Sequence, residues 1–238
     1  MDIVIRENID EYLKGLKEWI SGLENHNFEE MDEFFKARID DYEEHMEHWE
    51  DAYTFVSNQI PKDTKKLLDV GCGTGLELDN IFKILPHVSV TGIDLCETML
   101  QKLQQKHGDK HLSLICGDYF QVPFKEEEYD AVISFQSLHH FKGSKKVELF
   151  KKIYNSLKHG GEFIQCDYIA CCEEEEELLS KKAEEIRREN KILEDVFIHF
   201  DTPLTLKHEI ELLKKAGFKD VKPLCAINGA TTIVCKKI

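Results

Sequence analysis

The chain has 238 residues, with 46 acidic against 31 basic side chains and a formal net charge of −15 at pH 7. That length supports one large α/β domain plus a small appendage, and a surface of that sign repels phosphate backbones and anionic lipid, so neither nucleic acid nor membrane is an expected partner. No stretch approaches the roughly 20 apolar residues of a membrane span, and the opening MDIVIRENIDEYLKG lacks the apolar centre of a secretion signal, so a cytoplasmic location is expected. The eight cysteines show no paired C-x-x-C spacing and read as reduced thiols, mostly small hydrophobes in apolar runs. Cys171 and Cys172 open the acidic run CCEEEEE, which reads as a helix start.

The first sixty residues are helical in pattern. Ile9, Leu13, Leu16, Ile20 and Leu23 place one apolar stripe on a first helix. Asn27 and Glu30 form a cap pair for a second, whose stripe runs from Phe28 through Met31, Phe35, Tyr42, Trp49 and Tyr53 to Val56, with a break expected near Asp40 and Asp41. Residues 1–60 are therefore expected to form a helical lid, and 61–238 the main domain.

From residue 66 the pattern becomes short apolar runs alternating with amphipathic stretches, which predicts parallel strands joined by helices. Strands are expected near 66–70, 88–93, 112–117, 129–135 and 161–169. Helices are expected near 75–84, 97–107, 144–158, 173–190 and 205–216, the last closed by Gly217. Asn228 and Gly229 then mark a hairpin between two final strands.

The stretch LLDVGCGTGLE runs a strand into glycines at alternate positions, Gly71, Gly73 and Gly75. Such a turn brings backbone amides and a positive helix end to a ligand, although glycines also serve wherever a turn needs positive φ. A dinucleotide fingerprint wants a glycine at 76, where this chain has Leu76. The next two strands end in VTGIDLCETML and LICGDYF, putting Asp94 and Asp118 at the same carboxyl-terminal sheet edge. A carboxylate at Asp94 accepts both ribose hydroxyls, and one at Asp118 accepts an exocyclic amine. The competing reading of Asp94 is a helix cap, with Glu97 at capping-box spacing.

Together with YDAVISFQSLHHF and LKHGGEFI, these stretches resemble the successive motifs of class I S-adenosylmethionine-dependent methyltransferases over about residues 60–236. The resemblance implies a Rossmann-like, seven-stranded, mostly parallel sheet with a reversed C-terminal hairpin, S-adenosylmethionine as cofactor, and methyl transfer to a small-molecule acceptor. It implies that Asp69, Gly71, Cys72, Gly73 and Gly75 lie near the methionine moiety, Asp94 and Leu95 at the ribose, Met99 and Tyr119 beside adenine, and Asp118 at its amine. Phe135 and Gln136 are expected to line the cofactor. The segment FFKARIDDYEEH resembles one that covers the methionine end in small-molecule members, with Tyr42 as cover and Phe35 as a further contact; the plainer reading is that Tyr42 only packs.

Methyl transfer from a sulfonium is largely positional and needs a base only for a protonated acceptor. His139, His140 and Tyr42 are the catalytic candidates, against a reading in which one histidine packs and the other is solvated. Asp41, His45 and His48 share a helical face at metal-like spacing, but that pattern also marks a solvated polar face, and no metal is expected. His45, Trp49, His139, Asp167, Tyr168 and His199 are the expected acceptor contacts. Two other classes compete: a non-catalytic cofactor-binding or partner-binding protein of this fold, disfavoured by Asp94 and Asp118, and an NAD-dependent oxidoreductase, disfavoured by Leu76.

Overall fold

The computed structural model describes residues 3–23, 29–193 and 196–238. The expected cap at Asn27 and the stripe residue Phe28 lie outside them. The chain runs α1 (Ile9–Gly22), α2 (Met31–Ala37), α3 (Tyr42–Met46), a 3-10 turn (Glu47–Trp49) and α4 (Glu50–Gln59), followed by β1 (Lys66–Val70) and α5 (Leu76–Ile84). Next come β2 (Ser89–Asp94), α6 (Glu97–His107), β3 (His111–Cys116), β4 (Tyr129–Phe135), α7 (Gly143–Ser156) and β5 (Leu157–Tyr168). The carboxyl-terminal part adds α8 (Glu173–Glu189), α9 (Leu206–Ala216), β6 (Asp220–Ile227) and β7 (Ala230–Lys236).

The strands form one sheet in the order β3-β2-β1-β4-β5-β7-β6. The first five are parallel, and β7 pairs antiparallel with both β5 and β6. Asn228 and Gly229 turn β6 into β7 with φ of 49° and 85°, the positive pair that a tight hairpin requires. Because β1 is the strand from which the order runs outward both ways, ligands are expected over the carboxyl ends of β1 and β4, where the crossing helices diverge.

Both sheet faces are covered. On one, Leu149, Phe150 and Ile153 of α7 and Leu213 of α9 pack on Phe163 and Val132. On the other, Tyr53 and Val56 of α4 and Leu78, Ile81 and Phe82 of α5 cover Leu67, Ala131 and Ile164. Among the first sixty residues, α4 is thus embedded in the sheet's own core. The first helix joins a separate cluster, in which Leu13, Leu16 and Leu23 meet Leu179, Ala183 and Ile186 of α8. Glu173 to Glu176 occupy the first turn of α8 and Arg187 and Arg188 its last, which suits the helix dipole at both ends.

The expected break after α2 occurs, with Asp41 preceding α3 though making no capping bond. A second break at Glu47–Trp49 lies inside what reads as a continuous stripe. The strand expected from 161 begins at Leu157, which pairs with Tyr129; a bulge with Gly160 at a φ of 81° then leads into the run from Glu162, while Gly160 and Gly161 bond to Lys237. All eight cysteines are free thiols.

Candidate active site

The glycine turn after β1 is shaped by backbone demands. Gly71, Gly73 and Gly75 have φ of 78°, 47° and 73°, which side-chain-bearing residues rarely adopt. A Cβ on Gly71 would lie 2.1 Å from Ser137 Oγ, so the turn presses directly against the loop after β4. Asp94 clasps the turn from the next strand: its Oδ2 accepts Gly73 N at 2.8 Å and its Oδ1 accepts Cys96 N at 2.9 Å. The second bond is a local turn, and α6 begins without a side-chain cap, so Asp94 shapes the cleft rather than capping the helix.

Asp118 accepts Phe120 N at 2.8 Å, and Tyr119 bonds to Ser137 through its hydroxyl. Lys152, from α7, donates to the carbonyls of Tyr119, Phe120 and Val122 at 2.7, 2.8 and 2.8 Å, which fixes the loop that carries Asp118. Gln136 has φ of 47° without being glycine, a local cost of the kind stored at functional sites. Its amide donates to Cys166 O at 2.8 Å.

These groups border a narrow cleft of about 70 Å³. Of the expected cofactor residues, Phe35, Tyr42, Gly71, Gly73, Asp94, Leu95, Met99, Asp118, Tyr119, Phe135 and Gln136 line it. Cys72 and Gly75 border a smaller adjoining recess with Tyr53 and Glu77. Asp69 lies beneath the turn, fully buried, with no backbone or side-chain donor aligned on either oxygen and only the carboxyl of Glu77 as a neighbouring partner. Burial, reinforced by the neighbouring Glu77, pushes its carboxyl well above the usual range, and burial pushes Glu77 up to about 7. Ser137, Met31 and Phe197 also line the cleft; Phe197 and Met31 arrive from distant segments, and no local motif flags them.

Beside the cleft is a larger cavity of about 680 Å³. His45, Trp49, His139, Tyr168 and His199, all expected acceptor contacts, line it. Asp167 is set behind its wall: its Oδ1 is 2.5 Å from His139 Nδ1, and its Oδ2 accepts Leu138 N at 2.9 Å. The 3-10 turn is pinned to the hairpin, since Trp49 Nε1 donates to Asn228 O at 3.0 Å and Asn228 Nδ2 donates to His48 O at 2.7 Å. Phe34 stacks on His199 with ring centroids 3.5 Å apart, and Phe35 meets Tyr42 edge-on at 5.9 Å. The Tyr168 hydroxyl is engaged by Tyr12 and Glu175.

Sequence reasoning missed Asp201, Arg6 and Arg38, which also line this cavity. Asp201 Oδ1 is 3.4 Å from His139 Nε2 and 3.2 Å from His140 Nδ1. Burial alone would lower His139, but the carboxylates of Asp167 and Asp201 outweigh it and push it up to about 10. Burial and the charge of His139 hold His140 below its ordinary value, and burial with His140 lowers His199 to about 3. Burial would raise Asp201, yet His139 and His140 bring it well below the carboxylate range. Asp41, His45 and His48 do not converge: His48 Nδ1 turns back to His45 O at 2.8 Å and its ring lies against Trp49.

A sheet of this order, with a glycine turn and strand-end acids bordering a cleft at its carboxyl edge, defines the class I methyltransferase fold. The comparisons with known proteins agree. A family model described as "Methyltransferase domain" matches residues 67–161. The chain is 28% identical over 226 residues to a carboxy-S-adenosyl-L-methionine synthase of Campylobacter fetus subsp. fetus, covering 87% of this chain and 94% of that one. It is 33% identical over 104 residues to a malonyl-[acyl-carrier protein] O-methyltransferase of Priestia megaterium, covering 41% and 35% respectively. Among solved structures, a putative O-methyltransferase from Nostoc punctiforme superposes with a TM-score of 0.62 at 19% identity, over 79% of this chain and 56% of that one. Human N-acetylserotonin methyltransferase in complex with SAM gives 0.58 at 20%, over 77% and 50%. The chain thus spans about half the length of these two structures. These findings support a class I S-adenosylmethionine-dependent methyltransferase with S-adenosylmethionine as its cofactor. No described helix is long and apolar enough to cross a membrane.

The residues present fit that cofactor. Asp69 offers a buried acceptor without an aligned donor, and the Gly71 and Gly73 backbone is open to the cleft where side chains would fill it.

Proposed function

We propose that the chain transfers the cofactor's methyl group to a small aromatic or anionic acceptor seated in the 680 Å³ cavity. The observation that carries this reading is a shared wall: Phe35, Tyr42, Gln136 and His140 line both the cleft and the cavity, so reactants on the two sides meet there. The cavity's aromatic walls suit a flat acceptor, and Arg6 and Arg38 suit an ionised oxygen.

In this reading Asp94 and Leu95 hold the ribose, Met99 and Tyr119 flank the adenine, and Asp118 accepts from its amine. Asp69, Gly71, Cys72, Gly73 and Gly75 hold the methionine end, with Phe135 and Gln136 beside it. The bound cofactor supplies a methyl group on a sulfonium, already joined to a good leaving group. What the chain adds is alignment and exclusion of water. Tyr42 covers the junction, its hydroxyl oxygen 3.7 Å from where a Gly73 Cβ would be. His140 orients the acceptor at the wall, with His139 held behind it by Asp167. A cofactor pocket ordinarily occupies about 300–1,000 Å³, so α2 and Phe197 move outward to admit one. Residues 1–60 act as the lid and 61–238 as the methyltransferase domain, with α4 as the lid's anchor in the sheet. The acidic surface and lack of a described membrane span support a cytoplasmic, nucleic-acid-free role.

Incubation with S-adenosylmethionine and a panel of phenols, aromatic acids and amines, read by mass spectrometry, tests this: S-adenosylhomocysteine and a methylated acceptor should appear together. Tight cofactor binding with no turnover across the panel would favour a non-catalytic binder. A second reading is favoured by the extensively covered relatives named as carboxy-S-adenosyl-L-methionine synthases. There, Arg6 and Arg38 would hold a carboxyl donor, and spectra from an incubation that adds one would show a carboxylated cofactor and a decarboxylated donor without S-adenosylhomocysteine.

A further inference from the structure

We propose that His139, His140 and Asp201 form a binding site for a divalent first-row transition-metal ion in the wall of the acceptor cavity. One nitrogen of each histidine and one oxygen of Asp201 lie within 4.8 Å of one another, the one such three-residue group of His, Cys, Asp and Glu found among the described residues. The carboxylate oxygen is 3.4 Å from His139 Nε2 and 3.2 Å from His140 Nδ1. Metal bonds of about 2.1 Å separate neighbouring ligand atoms by about 3.0 Å at octahedral angles and about 3.4 Å at tetrahedral ones. Both nitrogen–oxygen separations match these values, and the two histidine nitrogens, within 4.8 Å of each other, would close on the ion as it binds.

A plain ion-pair cluster is the competing account, because Asp201 Oδ1 faces both histidines. His140 Nδ1 is buried and 3.2 Å from that oxygen but not aligned with it for a hydrogen bond, and an ion between the three groups would engage this nitrogen directly. His139 already has the outer support that metal-bound histidines take: Asp167 holds Nδ1 at 2.5 Å, which fixes the ring and leaves Nε2 facing Asp201. The backbone secures the third ligand as well, because Thr202 N and Oγ1 donate to His139 O at 2.8 and 3.1 Å and hold the Asp201 segment beside the histidines.

Two imidazoles and one carboxylate suit zinc, ferrous, cobalt or manganese ions better than calcium or magnesium, which favour oxygen donors. His199 flanks His140 at 4.9 Å between ring centroids but is stacked on Phe34, which sets it outside the ligand set. Remaining coordination positions face the cavity and would take an acceptor oxygen. That use rests on the methyl-transfer reading; the binding does not.

The test uses the untagged full chain, stripped by a chelator and titrated separately with Co(II) and Zn(II) without cofactor, followed by calorimetry and visible absorption of cobalt. The expected result is one ion per chain with a visible cobalt spectrum. Asp167→Asn should weaken binding roughly tenfold to a hundredfold, and His140→Ala or Asp201→Asn should weaken it further. Circular dichroism checks each variant, and Asp201→Asn, which keeps the side chain's size, serves if His140→Ala does not fold. Absence of stoichiometric binding overturns the proposal, as does an affinity unchanged in His140→Ala and Asp201→Asn. Thermal-shift titration of the same stripped chain with S-adenosylmethionine separates failure of this site from failure of the cofactor reading.

Discussion

The cofactor cleft and the acceptor cavity share a wall but are assembled from different kinds of sequence. The cleft is built mainly where β1, β2, β3 and β4 end, so most of its side chains lie within a few residues of a strand and inherit their positions from the sheet register. The cavity draws on Arg6, the broken helices around Tyr42 and Trp49, the loop after β4, the segment around Asp201, and the final hairpin. One region is placed by a rigid frame and the other by side-chain and backbone ties between loops, which makes the first suited to a constant cofactor and the second free to vary with acceptor.

This division can be broken experimentally. A large effect is expected from His139→Ala, which should misplace His140 and lower kcat/KM for an accepted substrate by about a hundredfold while cofactor affinity, measured by calorimetry, changes little. An equal loss in both would mean that the two regions do not act separately. Asp94→Ala should do the reverse, weakening cofactor binding about 100-fold through loss of a charged partner. Its clasp on Gly73 N also implies a lower melting temperature without cofactor. Tyr42 stands on the wall between the regions: Tyr42→Ala should cost about tenfold in cofactor affinity and Tyr42→Phe only about twofold, and unchanged binding and turnover in both would remove it from the site.

The smallest expected effect is a pH dependence. The buried carboxyls of Asp69 and Glu77 titrate above their ordinary values, Glu77 moving from 4.5 to about 7. The native chain therefore holds more protons than the unfolded one across that window, and its stability without cofactor should fall as pH rises through it. A cationic ligand end near Asp69 favours the ionised form, so the cofactor's stabilising increment should grow over the same range. Melting temperatures taken in steps across the window, with and without cofactor, check both slopes; an increment that stays flat separates Asp69 from the cofactor.

Legibility in the sequence follows the same division. The parallel strands were readable because each is a short apolar run between polar helices, and the acids at Asp94 and Asp118 stand where those runs stop. Only β5 was read short, since a Gly-Gly pair looks like a turn until its partner strand is known. Phe35 and Tyr42 lie on the periodic apolar stripe, which alone reads as packing; their place at the cleft is what the resemblance implies. The metal-like spacing of Asp41, His45 and His48 presumes one continuous α-helix, whereas Asp41 precedes α3 and His48 sits in a 3-10 turn with three residues per turn, so the spacing assembles no ligand set. Asp201 carried no local signal: its meaning comes from Thr202 bonding to His139, 63 residues earlier.

The bond between Trp49 and the Asn228 carbonyl bears on the order in which the protein is made. Strands β1, β2 and β4 leave the ribosome well before the closing hairpin, so the cofactor edge can assemble while synthesis continues. The chamber beside it stays unfinished until the turn at Asn228 and Gly229 has been made, so the strand ends that border the cofactor precede the acceptor wall in synthesis.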